Sequence, residues 1–330
     1  MKKTRVFILI SCILLAVLTL ASCKGGDSED TAQLAKSWIV TFDTQGGSKV
    51  DSVRVLDGNT ISAPTDPKKD GYIFDGWSYN AKDWDFTSDK VTADITLIAK
   101  WINADTVYGT EAVDGGVMIT GVKRKLTSMT VPSIIGGRTV VAIGEGVFMD
   151  TSSEDVSVIT VAETVTSVGK NAFKNCVDIE IRLDGSLVSV GEGAFLGCNK
   201  LTSVSFGEGL SEIPFEAFCG CSALTELRLP ASLVTIGENA FEDCTSIKTV
   251  MMHNGITSVQ NGAFHNTASL AAVYFYGTED DVDNISLDDM NDNLADVMTD
   301  NIYFYSKENP ASSGKYWYLS DNGKVKIWED

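Results

Sequence analysis

Phenylalanine returns at a nearly fixed interval through the middle of this 330-residue chain. Phe148, Phe173, Phe195, Phe218, Phe241 and Phe264 are separated by 25, 22, 23, 23 and 23 residues. Self-similarity with a period of about 20–50 residues is how a solenoid appears in sequence. Each unit is one supersecondary element that cannot bury its apolar face alone and must stack on the next. Such a chain presents an extended surface, so the period points to binding and away from an enclosed reaction site.

Alignment on the phenylalanines exposes further columns. Five residues earlier stands an aliphatic (Ile143, Val168, Val190, Ile213, Ile236, Val259), and eight residues earlier another (Val140, Val165, Leu187, Leu210, Leu233, Ile256). Alanine precedes five of the six phenylalanines, and Gly144, Gly169, Gly191 and Gly237 stand four residues before theirs. These glycines predict a turn with relaxed backbone sterics. Between the phenylalanines lie short alternating runs such as Val204-Ser205-Phe206, Leu227-Arg228-Leu229 and Val273-Tyr274-Phe275. Alternation with period two predicts a strand with one buried face. Each unit is therefore a short strand, a turn, a second extended stretch and a compact apolar turn carrying the phenylalanine.

Cysteine follows the same period. Cys176, Cys198, Cys221 and Cys244 each stand three residues after a repeat phenylalanine, and Thr151 and Thr267 hold that place in the outer repeats. One cysteine per repeat and only two histidines argue against a metal site. The pattern is that of a buried column of small hydrophobes. A bridge between adjacent coils stays open as an alternative in an exported chain.

The repeat segment, about residues 106–276, resembles the BspA-like leucine-rich repeats of bacterial surface proteins. Their I-G-x-x-A-F-x-x-C-x-x-L pattern stands here as Ile236-Gly237-Glu238-Asn239-Ala240-Phe241-Glu242-Asp243-Cys244-Thr245-Ser246-Ile247. Pro214 and Gln260 depart from it at the glycine position, and residues 129–148 carry extra length around Gly136-Gly137. Residues 38–102 form a different unit. Gly71-Tyr72-Ile73-Phe74-Asp75-Gly76-Trp77 and the ending Thr96-Leu97-Ile98-Ala99-Lys100-Trp101 resemble the internalin-type B-repeat, a β-grasp-like module. In that family the module is a spacer or weak interaction domain, which implies that Trp77, Trp84 and Trp101 are core residues. The fold class expected is mainly β: a small β-grasp-like domain, a leucine-rich-repeat solenoid over 103–276, and an acidic segment with a C-terminal cap over 277–330.

Residues 1–22 read as a secretory signal. Lys2, Lys3 and Arg5 precede the apolar run from Val6 to Leu20, which is too short for the ~20 residues of a spanning helix. Leu20-Ala21-Ser22-Cys23 resembles the bacterial lipobox, which implies lipid attachment at Cys23 and a membrane contact made through that lipid. Residues 24–37 are small and polar, the composition of a flexible tether. Residues 1–22 carry three cations and no anion, so the chain beyond them moves from a net charge of −19 to −22. A chain this acidic repels phosphate backbones, which excludes nucleic acid as a partner.

Catalytic chemistry finds no support. His253 and His265 sit at variable repeat positions, and no nucleophile–base motif, zinc pair or phosphate loop is present. The Asp280-Asp281-Val282-Asp283-Asn284 run lacks the central glycine and terminal glutamate of a calcium loop. No cofactor, metal or catalytic residue is expected. The expected activity is contact with an extracellular protein or glycan at the cell envelope. The strand face would supply it through a row made of Thr160, Arg182, Ser205, Arg228, Met251, Tyr274 and Tyr303, because Arg and Tyr are enriched at interaction hot spots. A passive spacer or assembly subunit is the alternative. A carbohydrate-binding component using Tyr274, Tyr276, Tyr303 and Tyr305 is a further one.

Overall fold

The computed structural model describes residues 36–310 and 314–328; the signal sequence, Cys23 and the tether up to residue 35 lie outside the described residues. Two architectures follow one another along the chain.

The first is a five-stranded mixed sheet built on Ser37–Asp43 and Ile95–Asn103, which run parallel at its centre. Val53–Leu56 pairs with the former, and Tyr72–Tyr79 and Lys82–Asp83 extend the sheet beyond the latter. Alternation is what places Val40, Phe42, Leu97 and Ala99 on the buried face. Trp77 is buried and meets Phe42 and Phe74 edge-on, with ring centroids 4.9 and 5.4 Å away. Trp101 lies half-buried over Gly47, where a Cβ would come within 2.6 Å of the indole, and its Nε1 donates to the Thr44 carbonyl at 3.0 Å. Trp84 packs partly buried against the same core, edge-on to Tyr79 at 6.1 Å, so the three tryptophans behave as core and wall residues of a small domain in which aromatic area dominates burial.

The strand Ile95–Asn103 runs straight into a 3-10 turn, Ala104–Thr106, capped by the Asn103 side chain. No linker separates the sheet from the solenoid. The Ala104 amide donates to the Gly71 carbonyl at 2.9 Å, and Ile73 belongs to the same continuous apolar core as the repeats. The solenoid opens with the hairpin Tyr108–Val113 and Gly116–Val122, whose second strand pairs in parallel with Arg138–Ile143. The extra length at 129–148 is a small hairpin: Ile134–Ile135 pairs with Arg138–Thr139 across Gly136-Gly137, both at positive φ (57° and 74°).

The predicted columns are stacked as such. All six repeat phenylalanines are buried, as are the aliphatics eight and five residues before them. Their rings form one stack, with successive centroids 5.1, 5.1, 5.1, 5.4 and 5.3 Å apart. A backbone ladder runs beside it. The amide of each phenylalanine from Phe148 to Phe241 donates to the carbonyl of the alanine that precedes the next one, at 2.8–2.9 Å. The four cysteines are free and buried, and each thiol donates to the carbonyl of the preceding coil's phenylalanine at 3.1–3.2 Å. The column is therefore an inter-coil seam and not a set of bridges.

The glycine column has a different cause from the one expected. These glycines do not occupy positive φ; they let one coil's backbone touch the next. A Cβ on Gly191 would stand 2.3 Å from the Lys170 nitrogen, and one on Gly237 2.8 Å from the Ile213 oxygen. Left-handed backbone occurs instead two residues before each phenylalanine (Gly146, Asn171, Gly193, Glu216, Asn239, Gly262) and two after it (Asp150, Asn175, Gly197, Gly220, Asp243, Asn266). Gly, Asn and Asp fill eleven of these twelve places because they tolerate that conformation.

Both ends of the phenylalanine stack are closed. At the first coil, buried Tyr108 meets Phe148 edge-on at 6.4 Å and donates its hydroxyl to the Thr130 carbonyl. At the last, no alanine carbonyl is available, and the Asn291 side chain takes its place: Oδ1 accepts from the Phe264 amide at 2.9 Å. Asn291 is only 3% exposed, and its Nδ2 donates to the carbonyls of Gln260 and Asp288, both at 2.9 Å. The acidic segment around it holds a short helix, Glu279–Val282, closed by a capping box between Thr278 and Asp281, and the helix Asp292–Asp300.

Candidate functional site

The short strands of successive coils pair in parallel, which lines up the residues at equal positions. Ser128–Val131, Val158–Val161 and Glu180–Leu183 form one three-stranded sheet, in which Thr130, Thr160 and Arg182 share a row. Glu226–Arg228, Thr249–His253, Ala272–Tyr276 and Ile302–Tyr305 form another, in which Arg228, Met251, Tyr274 and Tyr303 share a row. Ser205 joins neither row. It pairs with Ser186, four residues beyond Arg182, so the single row expected from the sequence is two. The break falls beside the shortest repeat, the 22 residues between Phe173 and Phe195.

Exposure along the rows is uneven. Arg182, Ser205 and Arg228 are exposed, and Thr160, Tyr274 and Tyr303 are half-buried. Met251, expected at the surface, is only 6% exposed. It stands in register between Arg228 and Tyr274, and a thioether with no group to hydrate gains by lying in against its neighbours. Both arginines are tied to a glutamate two residues earlier on the same strand. Arg182 Nε donates to Glu180 Oε1 at 2.8 Å, and Arg228 Nε to Glu226 Oε1 at 2.6 Å. The cationic charge of the row is balanced where it stands, and each fork keeps its outer nitrogens for other contacts.

Beyond Met251 the face becomes aromatic. His253 stacks on Tyr276 at 4.2 Å, Tyr276 meets Tyr305 tilted at 4.8 Å, and Tyr274 lies 5.6 Å from Tyr303. Trp317, from the strand Tyr316–Leu319, sits among them at 4.6–5.6 Å from Tyr274, Tyr276 and Tyr305 and is fully buried. The sequence pointed to the tyrosines but not to Trp317, which arrives from the chain's last segment. The rings pack against one another and against this indole, so the cluster is a consolidated aromatic wall. Burial raises the Tyr274 and Tyr276 pKa values and lowers that of His253, whose ring Glu208 pulls back upward.

At the opposite end of the face, Thr160 and Arg182 look into a cleft of about 480 Å³ between the first coils and the loop 64–70 of the N-terminal sheet. Lys68 Nζ spans its mouth to Glu163 Oε2 at 3.3 Å. Cys219, half-buried outside the cysteine column, has its thiol pushed up to about 12 by burial and then by Glu242 and Glu216, which makes it a poor nucleophile. Among the described residues no group of three or more His, Cys, Asp or Glu is placed to hold a metal ion.

Short parallel strands stacked coil on coil, with one stacked phenylalanine per coil, define a leucine-rich-repeat protein. Residues 123–214 and 166–291 match the family model described as the BspA type leucine rich repeat region, and together they span just over half of the sequence. The chain belongs to this family. Residues 38–100 match the Listeria-Bacteroides repeat domain. Internalin H of Listeria monocytogenes is 43% identical over 91 residues, 26% of this chain and 16% of that protein. A putative Gly-rich membrane protein of Evansella cellulosilytica is 35% identical over 96 residues, 28% of this chain and 11% of that protein. The matched stretch is thus under a fifth of the length of these relatives. A leucine rich cell surface protein from Faecalibacterium prausnitzii A2-165 has the same fold, with a TM-score of 0.50 at 22% identity over 68% of this chain and 60% of that one.

Proposed function

We propose that the chain is a cell-surface binding protein, anchored through a lipid on Cys23, that captures an extracellular protein with the strand face of its solenoid. The mechanism is contact without turnover. The observation that carries this reading is the face formed by Arg228, Tyr274 and Tyr303 in one row and His253, Tyr276 and Tyr305 in the adjacent one. The half-buried Tyr274, Tyr276 and Tyr303, held by their neighbours, lose little rotamer freedom on binding, and a guanidinium beside them offers directional donors. Membership of a family of surface leucine-rich-repeat proteins supports the same reading.

The test is surface plasmon resonance of the detergent-solubilised full chain against a panel of extracellular-matrix proteins. The triple variant Arg228→Ala, Tyr274→Ala, Tyr303→Ala should lose a saturable signal by about a hundredfold or more, the sum of two or three hot-spot truncations. Retained affinity would remove the row as the site. A second reading, a passive spacer, draws on the linker-free seam at Asn103–Val107, and a panel that stays silent with the unaltered chain would favour it.

A further inference from the structure

We infer that the cleft between the N-terminal sheet and the first coils is a binding site for a neutral saccharide of one or two rings. It is distinct from the strand-face site above, and the two can fail independently.

The cleft is set by the fold and does not depend on a hinge. The strand Ile95–Asn103 enters the solenoid without a linker, Ile73 is buried in the repeat core, and the Lys68–Glu163 pair closes one rim. Its volume, about 480 Å³, lies in the range of small-ligand sites. The two walls differ in chemistry. The sheet contributes Tyr72, Phe74 and Trp101, with Phe74 edge-on to Trp101 at 5.5 Å. The Lys69 ammonium is pinned on this wall by the Gln45 carbonyl at 2.8 Å and lies 4.5 Å from the Tyr72 ring centre. The solenoid contributes Thr130, Thr160, Arg182 and Asp184, and the loop at the rim adds Asp66.

These polar groups are unspent. Among the described residues the hydroxyls of Thr130 and Thr160 and the carboxylates of Asp66 and Asp184 make no hydrogen bond, and Arg182 commits only its Nε, to Glu180. A ligand that fills this space must offer an apolar surface to the aromatic wall and several donors and acceptors to the other. A hydrocarbon would strand the polar wall without water, at the desolvation cost of each group. An anion meets Asp66, Asp70 and Asp184, while Lys68 and Arg182 are already paired with Glu163 and Glu180, which leaves Lys69, among the described residues, as the one lining cation without a carboxylate partner. A pyranose ring has the required duality: C–H groups on one face and a rim of hydroxyls able to both donate and accept. Carboxylates and a guanidinium fork give such hydroxyls charge-assisted hydrogen bonds, stronger than neutral ones. Burial raises the Asp66 pKa, against the opposing pull of Arg182.

The experiment uses the detergent-solubilised full chain on an array of neutral hexose and N-acetylhexosamine oligosaccharides, with hits titrated by calorimetry. The result expected is saturable binding of a neutral glycan that weakens about tenfold or more in Arg182→Ala and again in Asp184→Asn. The strand-face variant Arg228→Ala should bind it unchanged, and thermal melts should stay together. Should Arg182→Ala lower the melting temperature, Asp184→Asn decides, since it keeps the side-chain shape. The proposal is overturned by a silent array, by a preference for acidic glycans alone, or by binding that both cleft substitutions leave intact. Loss of glycan binding in Arg228→Ala would also overturn it, because that would place the glycan on the strand face.

Discussion

Asn291 replaces a missing coil with a side chain, and its removal should open the solenoid from that end. In Asn291→Ala the buried amide of Phe264 loses the acceptor it has among the described residues. An unsatisfied buried donor costs about 1–3 kcal/mol. The carbonyls of Gln260 and Asp288 lose a donor each, at about 0.5–1.5 kcal/mol apiece, part of which water restores because they lie nearer the surface. The sum is about 2–4 kcal/mol. Repeat proteins couple mainly to nearest neighbours, so the loss should appear as local opening and not as uniform destabilisation. Native-state hydrogen exchange reads this directly. Protection of the Phe264 amide should fall roughly thirtyfold to several hundredfold, the equivalent of that energy. The Phe148 amide, at the far end of the ladder and bonded to Ala172, should keep its protection. Equal losses at both amides, or none at Phe264, would refute the reasoning.

Glu216 is the one residue in the left-handed columns that is neither Gly, Asn nor Asp, at φ 51°, so Glu216→Gly should stabilise by about 0.5–1 kcal/mol in urea unfolding despite glycine's entropy. Gly191→Ala should destabilise by about 1–3 kcal/mol, because its Cβ would lie 2.3 Å from the Lys170 backbone nitrogen and backbone must move to admit it. Trp317→Ala should cost about 3–5 kcal/mol and loosen the tyrosine wall, visible as lost near-ultraviolet dichroism. Burial lowers the His253 pKa, so the unfolded chain takes up that proton first. The neutral ring's contribution is intact above the unfolded value of about 6.5, declines as pH falls below it, and is lost once pH passes through the lowered folded value. Melts between pH 7 and 5 should show this decline in the unaltered chain and a shallower one in His253→Gln.

The solenoid was legible because its core is periodic. Phe, Ala and two aliphatic columns each bury one side chain per coil, and a one-residue shift would expose them. The glycine column was visible but its reason was not, since contact between coils is a property of the stack and not of the single turn. The left-handed columns left a signal, an alternation of Gly, Asn and Asp flanking each phenylalanine, that apolar periodicity does not sample. The expectation of one continuous exposed row broke where it relied on strict equivalence of coils: Ser205 lies out of register and Met251 is buried. Asn291, Trp317 and the cleft depend on segments 27, 43 and 95 residues apart in sequence meeting in space, and no local pattern marks them.

The seam at Asn103, where the sheet passes into the solenoid without slack, has a mechanical consequence. A pull between the sheet and the last coil is carried by the stack itself, since no linker lies between them. Each coil touches only its neighbours, so the stack yields one coil at a time and not all at once. Releasing about 23 residues, at about 3.4 Å each, lengthens the molecule by roughly 75 Å per step after subtracting the ~5 Å the coil occupied. A protein built this way behaves as a shock absorber: short and stiff under small loads, and able to pay out length in fixed increments under large ones.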